Sequence, residues 1–405
     1  MIALVDIFIH EAFKTIRLLL TQPLLYWVVF LLIISSYERV ERERINFGYK
    51  IFNIGKEWRD TFIFSLVFGL LLSLIMVGTG FVFSYEIIYL INIIVILFSI
   101  STRYTLLSAS YTIGTVYLLV LLLPFVLSFQ QYFPSSLFME NNLSGIAIFL
   151  GLLLFVEAFL VKRIKPNNTY PSLRKSKRGV WIGQHHLRKL SILPIFLLVP
   201  HGLIEPFSPY WPVMHFGVDT YSIILLPMAI GFDHEVKGTL PQIVAQKLFS
   251  SLTVLALVVT ILGVGSIYLS WLSFIAVLVA LMGREFIKYK LQEADHDRIP
   301  YFTNLNEGVR VLSIIPESPA EKLKIQVGET ILRVNGQTIK TPKEFYQSLQ
   351  DSGAFFKLDV LDVAGEVKFI QGAFYEGDDH NLGIIFPQER YHKINSKKDL
   401  EKSIS

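Results

Sequence analysis

Residues 308–345 read GVRVLSIIPESPAEKLKIQVGETILRVNGQTIKTPKEF, and this stretch decides the fold of the C-terminal part of the chain. The segment 309–315 is apolar and β-branched, which predicts a strand. Ser318-Pro319-Ala320-Glu321 has the order of a capping box that opens a helical turn. Asn335-Gly336 favours a tight hairpin, because both central residues of that turn need positive φ. The pattern predicts a small mixed α+β module.

The same module continues beyond this stretch. Thr341-Pro342-Lys343-Glu344 repeats the capping pattern for a helix that ends at Gly353. Strands are predicted at 355–362 and 366–370, and the apolar run Leu382–Phe386 closes the module.

The rest of the chain has the composition of a membrane protein. The 405-residue sequence is 52% hydrophobic with a mean hydropathy of +0.50, and its charges are concentrated in two loops and after Gly283. Cysteine is absent, which excludes disulfides, thiolate metal sites and cysteine nucleophiles. The formal net charge is only +4, so the composition does not indicate nucleic-acid binding.

Apolar runs that approach the length needed to cross a bilayer, about 20 residues, occupy most of the sequence before Gly283. Pro194, Pro200 and Pro227 interrupt some of these runs. The pattern predicts about eight helical spans, near 61–82, 85–101, 105–127, 144–161, 191–204, 221–232, 250–266 and 268–283.

The positions of Lys and Arg predict which loops are cytoplasmic. The loop from Tyr37 to Asp60 is rich in basic residues, and the loop from Lys162 to Leu190 carries nine with no acid. The loops 128–143 and 205–220 contain no Lys or Arg, which suits the outer side. Counting spans between these markers places the C-terminal module in the cytoplasm.

Residues 1–34 do not fit a simple span. Their polar side chains fall at helical spacing on one side of an apolar helix, a pattern typical of a segment that lies in the membrane interface. Pro23 then interrupts the chain. We expect an interfacial or re-entrant segment, with a ninth span as the alternative.

The ordered elements of the C-terminal module resemble those of a bacterial PDZ domain. The resemblance rests on Gly308-Val309-Arg310-Val311, Ser318-Pro319-Ala320, Val327-Gly328-Glu329 and the run from Ile331 to Gly336. The chain departs from the family at 321–324, which reads Glu-Lys-Leu-Lys where the family has an Ala-Gly-Leu turn. The fold class that this implies is a polytopic α-helical membrane protein followed by a small α+β PDZ-like domain.

Five parts follow from this organisation. They are an N-terminal segment and basic loop at 1–60, a multi-span body at 61–283, a cytoplasmic linker at 284–304, the PDZ domain at 305–387 and a polar tail at 388–405.

The resemblance also implies a binding site. PDZ domains bind an extended peptide as an added strand beside a helix, and backbone N–H groups hold its carboxylate. Matched to this chain, the loop and strand comprise Asn306, Glu307, Gly308, Val309, Arg310, Val311 and Leu312. The helix contributes Tyr346, Leu349 and Gln350, and Tyr346 narrows the pocket for an internal segment. The alternative for Leu349 is that it belongs to the core.

An enzyme is the main alternative, because PDZ domains accompany intramembrane proteases. A zinc protease needs two histidines one helical turn apart with a glutamate beside the first. His10-Glu11 is followed by Lys14 and His234-Glu235 by Gly238, so the second ligand is missing in both places. We therefore expect no catalytic residues, metal or cofactor.

Other polar residues have simpler explanations. Glu157 lies inside a predicted span and is expected to reach Arg163 or water, and His185-His186 is expected to face solvent or headgroups. Basic residues of the second loop either bind anionic lipid or only enforce the topology. These residues are Arg174, Lys175, Lys177 and Arg178.

The whole architecture resembles the MinJ family of polytopic division proteins. Local matches are Gln22 to Trp27 and the charged stretch from Tyr37 to Tyr49. The resemblance implies a non-enzymatic adaptor at septa and poles that links a DivIVA-like scaffold to the MinCD inhibitor, through its MinD-like ATPase. Other division proteins and membrane lipids are further expected partners, nucleic acid is not, and homo-oligomerisation stays open. The alternative function is a PDZ-gated intramembrane protease or a membrane signalling regulator.

Overall fold

The computed structural model describes residues 13–127, 142–176, 179–208, 211–213, 220–303, 307–353, 355–373 and 382–387. The predicted tail 388–405 lies outside these residues. An apolar helical body precedes an α+β module, in the order that the sequence predicts.

Long apolar helices form most of the body. Their bounds are Pro23–Phe47 (α1), Lys56–Thr79 (α2), Tyr85–Ile100 (α3), Ala109–Leu127 (α4), Leu143–Lys162 (α5), Pro241–Gly265 (α6) and Trp271–His296 (α7). Proline occupies the first turn of α1 and α6, where its missing N–H removes no helical hydrogen bond. Gly48 and Gly80 follow α1 and α2 with positive φ, a helix end that glycine adopts without steric cost.

Among the described residues, four helices are long and apolar enough to cross a membrane, namely α1, α2, α5 and α6. Helix α3 and the residues 109–124 of α4 are shorter apolar helices. Most of the predicted spans therefore coincide with apolar helices, which supports membrane association. Helix α7 begins inside the predicted span 268–283 but continues to His296, so much of the predicted linker 284–304 is helical.

The predicted spans 191–204 and 221–232 are wrong, because both segments are β-strands. β1 (Tyr170–Lys175) pairs with the start of β2 (Trp181–Ile204), and β2 forms a long antiparallel hairpin with β3 (Tyr221–Val236). The prolines that interrupt these segments disfavour a helix interior. Short apolar runs do not distinguish a buried strand from a helix by periodicity alone, which explains the error.

The hairpin lies against α2 inside the body. The N–H of Phe196 donates to Ser73 Oγ at 2.8 Å, and Thr61 Oγ1 donates to the carbonyl of Leu190 at 2.9 Å. A Cβ added at Gly69 would lie 2.6 Å from Pro194 Cδ, so glycine permits this approach. Side chains of α2 therefore satisfy backbone groups of a strand in apolar surroundings, where an unpaired group is costly.

The N-terminal region is more helical than predicted. Residues 13–21 are helical, and α1 continues through the predicted interfacial segment to Phe47. Since α1 is long and apolar enough to cross a membrane, the structure favours the alternative of a ninth span over an interfacial or re-entrant segment for residues 23–34. The predicted basic loop from Tyr37 to Asp60 shortens to the residues 48–55 between α1 and α2.

The C-terminal module has the predicted mixed architecture. Its elements are Val309–Arg310 (β4), Ser313–Ile314 (β5), Pro319–Lys322 (α8), Thr330–Val334 (β6), Gln337–Thr338 (β7), Pro342–Asp351 (α9), Phe355–Leu361 (β8), Val367–Ala373 (β9) and Ile384–Ile385 (β10). Strands β4, β6, β8 and β9 form a sheet in that order, and β10 pairs with β5. Asn335 and Gly336 both have positive φ, and Thr341 caps α9 by accepting from the Glu344 N–H.

Candidate functional site

Helix α9 of the module faces the segment 382–386. The hydroxyl of Tyr346 donates a hydrogen bond to the carbonyl of Ile384 at 2.9 Å, and the ring of Phe345 packs edge-on against Phe386 with centroids 5.1 Å apart. Burial raises the pKa of the Tyr346 hydroxyl, which stays protonated and able to donate.

The register of β10 leaves one backbone edge directed at this helix. The N–H groups of Leu312 and Ile315 donate to the carbonyls of Ile385 and Gly383, at 2.7 and 2.8 Å. Because neighbouring residues of a strand point their carbonyls to opposite sides, the backbone of Ile384 points away from β5 and toward α9. Helix α9 and the backbone edge of Ile384 therefore face each other, with the Tyr346 hydroxyl between them.

The residues predicted for the groove strand pair elsewhere. Val309 and Arg310 pair with β6, the Val311 N–H donates to Glu329, and the Leu312 N–H donates to Ile385. The Gly308 N–H donates to the carbonyl of Ile339, at a φ of 78°. These backbone groups therefore form hydrogen bonds with other backbone groups of the module.

The remaining residues predicted for the groove lie in different environments. Asn306 lies outside the described residues, and Glu307 is exposed. Leu349 is fully buried in the core of the module, as its alternative interpretation held, and Gln350 is exposed. Among the described residues of the predicted set, Tyr346 is the one from the helix that contacts β10, through its hydrogen bond to Ile384. The sequence signal for β10 was Gly383 followed by an apolar run, and Gly383 has positive φ in the structure.

One face of the module packs against the body. The contact is a cluster of buried apolar side chains from both parts, which we term the docking cluster. Its members are Phe47, Ile51, Phe52, Tyr170 and Leu173 of the body, Phe302 of the connection, and Leu312, Val327 and Ile385 of the module. The side chains of neighbouring β10 residues therefore pack in different places: that of Ile384 packs in the module core and that of Ile385 in the docking cluster.

Polar contacts fix the orientation of the docked module. Asn167 donates through Nδ2 to the carbonyl of Ile325 at 3.2 Å and accepts through Oδ1 from the Val327 N–H at 3.1 Å. The Gly183 N–H donates to the carbonyl of Phe302 at 2.9 Å. A Cβ at Gly183 would lie only 2.5 Å from Leu312 Cδ1, so the two surfaces meet closely there.

A buried ionic network holds the loop 48–55 that receives the module. Arg39 pairs with Glu43 at 2.9 Å and with Glu57 at 3.1 Å, and all three side chains are buried. Arg39 also donates to the carbonyls of Phe52, Asn53 and Ile54. Glu43 in turn accepts from the N–H groups of Ile51 and Phe52. Each charge therefore has partners, as a buried charge requires.

His185 is buried at this surface, so the expectation that it faces solvent is wrong. Its Nδ1 lies 2.9 Å from Thr169 Oγ1, and its ring lies 4.6 Å from that of Phe302. Burial, together with repulsion from His186, lowers the pKa of His185 to about 3. The docked module thus encloses a neutral imidazole.

Glu157 binds Arg284 rather than Arg163. The two side chains are 3.0 Å apart and almost fully buried between α5 and α7, and Ser108 donates to the same carboxylate at 2.7 Å. The sequence missed this pair because Arg284 was assigned to a linker instead of to α7. Its charge satisfies a buried carboxylate, and this gives the pair a structural role.

The residues considered for lipid contact lie near the same end of the body. Arg174 is mostly exposed and lies 4.0 Å from Glu235, and Lys175 lies 5.2 Å from the ring centre of Trp181. Lys177 and Arg178 are outside the described residues. In the part of the chain that the structure describes, no three His, Cys, Asp or Glu side chains cluster to hold a metal ion.

A helical body with apolar spans and a docked peptide-groove module defines a membrane-associated PDZ protein, and residues 310–361 match the PDZ domain family. The chain is 33% identical over 386 residues to "Cell division topological determinant MinJ" of Bacillus subtilis (strain 168), covering 94% of this chain and 96% of that protein. It is 23% identical over 262 residues to "Probable cell division topological determinant MinJ" of Lacticaseibacillus paracasei, covering 63% and 69%. The chain belongs to the MinJ family.

Proposed function

We propose that this chain is a non-enzymatic membrane adaptor in division-site selection. The observation that carries the proposal is its 33% identity, over 94% of its length, to a protein named cell division topological determinant. The PDZ domain supports an adaptor, because PDZ domains recognise peptide segments of other proteins.

The peptide groove lies between β10 and α9 in this proposal. The extended ligand adds to the backbone edge of Ile384, whose carbonyl accepts a hydrogen bond from the Tyr346 hydroxyl in the structure. This replaces the groove along Val309 to Leu312, whose backbone bonds close within the module. Gly383 supplies the positive φ before the strand, the conformation suited to a loop whose N–H groups hold a carboxylate.

The partners follow from the family resemblance. The adaptor links a DivIVA-like scaffold at septa and poles to the MinCD inhibitor, with the PDZ domain in the cytoplasm. Basic loops at the end of the body that carries the PDZ domain support the cytoplasmic assignment, because Lys and Arg are retained on that side. Docking on the body would hold the groove at a fixed orientation to the membrane.

The proposal is tested by truncation in a Bacillus subtilis strain that lacks its own MinJ relative. The full chain and a chain that ends at Asp297, which removes the PDZ domain and keeps α7, are expressed at equal levels. We expect septal and polar recruitment of fluorescent MinD with the full chain and its loss with the truncated one.

A chain that ends at Pro387 is the matched control, since it removes only the polar tail. It should recruit MinD as the full chain does. Normal recruitment by the chain that ends at Asp297 would refute the role of the PDZ domain, and failure of the full chain to reach septa would refute the adaptor itself.

A further inference from the structure

A large polar cavity lies at the end of the body that carries the PDZ domain. Its volume is about 680 Å³. The walls come from the last turns of α1, the residues 101–105 after α3, the hairpin β2–β3, and the part of α7 from Arg284 to His296. The cavity therefore joins elements that are far apart in the sequence, and it is separate from the peptide groove.

Positive charge predominates on these walls. Seven basic side chains line the cavity, namely Arg42, Arg103, Arg174, Arg188, Lys237, Arg284 and Lys288, against the four acidic side chains of Glu38, Asp233, Glu235 and Asp295. Three of the basic side chains have acidic partners: Arg284 lies 3.0 Å from Glu157, Lys288 lies 3.5 Å from Glu285, and Arg174 lies 4.0 Å from Glu235. Asp295 accepts the N–H of Gly238 at 2.7 Å, and Asp233 lies 3.4 Å from His186. The excess of positive charge therefore rests on Arg42, Arg103, Arg188 and Lys237.

Arg188 supplies a buried donor, its Nε, without an acceptor among the described residues, while its Nη2 donates to Ser35 Oγ at 3.5 Å. Its side chain is 2% exposed, and its guanidinium lies over the Tyr104 ring at 3.8 Å. The nearest carboxylate, of Glu38, is 4.0 Å away. Among the described residues the Nε of Arg188 has no hydrogen-bond partner, and the same holds for Nε2 of His234 on the adjacent wall. Buried polar groups are nearly always paired, so this donor points to a ligand.

Two further arginines reinforce the site. Arg42 faces the cavity from α1, close enough to Arg188 for their charges to repel, and Arg103 approaches from the segment after α3. Within the described part of the chain neither forms an ion pair within 4.0 Å. Guanidinium groups that converge without a carboxylate in direct contact are stabilised by an anion between them.

We propose that this cavity binds a phosphate group, carried either by the headgroup of an anionic phospholipid or by a soluble phosphate compound. Planar guanidinium groups match phosphate oxygens in pairs, and arginines on separate elements surround a tetrahedral anion from several sides. The cavity is larger than inorganic phosphate and accommodates a headgroup. Bound phosphate would connect α1, the hairpin and α7, the helix that leads to the PDZ domain.

The test uses the full chain, purified without phosphate in a zwitterionic detergent or in nanodiscs. Inorganic phosphate is titrated in detergent against chloride at equal ionic strength. Nanodiscs of phosphatidylglycerol are compared with nanodiscs of phosphatidylcholine. The readout is the midpoint of thermal unfolding, together with native mass spectrometry of retained phosphatidylglycerol.

Arg42→Gln removes a cavity charge, and Arg44→Gln is its matched control, because Arg44 lies exposed on the same helix and does not line the cavity. We expect a higher midpoint with at least one probe, an apparent Kd about tenfold weaker in Arg42→Gln, and no change in Arg44→Gln. Arg103→Gln, at an exposed position, serves if Arg42→Gln does not fold.

The two arms identify the source of the phosphate. Stabilisation by phosphatidylglycerol alone assigns a lipid, and stabilisation by inorganic phosphate in detergent assigns a soluble compound. The proposal is overturned if neither probe raises the midpoint of the unsubstituted chain above its control. It is also overturned if cavity variants and Arg44→Gln respond alike.

Discussion

Replacing Leu312 by alanine should release the PDZ domain from the membrane body. Leu312 is fully buried and belongs to the docking cluster rather than to the PDZ core. Truncation of a buried leucine to alanine costs about 2–5 kcal/mol, and most of that cost here falls on docking. Since about 1.4 kcal/mol corresponds to a factor of ten, the undocked fraction should rise roughly thirtyfold to several thousandfold.

Hydrogen exchange measures this change directly. The Val327 N–H donates to Asn167 of the body at 3.1 Å, so its protection depends on docking. Its exchange rate should rise by the same factor as the undocked fraction, provided that exchange proceeds through undocking. Leu358→Ala is the control, because Leu358 is equally buried but belongs to the PDZ core. It should lower the stability of the PDZ domain without selective loss of docking.

The same surface can be disrupted from the body. A valine at position 183 would place its Cβ 2.5 Å from Leu312 Cδ1 and 2.9 Å from Phe302 Cβ, so Gly183→Val should also expose the Val327 amide. Unchanged exchange of Val327 in both Leu312→Ala and Gly183→Val would refute the docked arrangement. Equal acceleration in Leu358→Ala would refute the assignment of Leu312 to docking.

Three further predictions concern single side chains. Glu157→Gln leaves the buried charge of Arg284 uncompensated and should destabilise the body by about 3–5 kcal/mol in detergent unfolding; a loss below 1 kcal/mol would contradict the pairing. Burial at the docking surface, with repulsion from His186, lowers the pKa of His185 from 6.5 to about 3, so the stability that depends on its neutral form is complete above pH 6.5 and is lost toward pH 3, by at most about 1.4 kcal/mol per pH unit. His185→Gln should flatten this pH dependence of Val327 exchange, and an unchanged slope would exclude His185 as its source. Tyr346→Phe removes the hydrogen bond to Ile384 and should cost the PDZ domain about 1 kcal/mol in urea unfolding; an unchanged free energy of unfolding would contradict that bond.

The local elements of this chain were predictable because their signals are short in range. Asn335-Gly336 and the Thr341 cap determine a turn and a helix start through their own backbone chemistry. The hairpin β2–β3 was not predictable in the same way. Its apolar runs are about as long as short membrane helices, and only the pairing of β2 with β3 shows that their backbone groups bond as strands.

The site was predictable only in part, for a related reason. Gly308 and Gly383 each precede an apolar run, so the sequence contains two candidates for the groove strand. The tertiary contact of Tyr346 with Ile384 favours the second, which is the basis of the proposed groove. The docking cluster was not predictable at all, because its members come from three distant parts of the chain that no local periodicity connects.

The position of β10 would couple docking to peptide binding in the proposed groove. The backbone of Ile384 faces α9, where a peptide would add, while the side chain of Ile385 packs against the body. A peptide that displaces the Tyr346 hydroxyl acts on the strand that also holds the domain in place. If it binds the docked and free domains with different affinity, docking must change its affinity by the same factor, since coupling between sites is reciprocal. Leu312→Ala favours the free domain without touching α9. It should therefore change the Kd of the peptide, and an unchanged Kd would show that docking and peptide binding are independent.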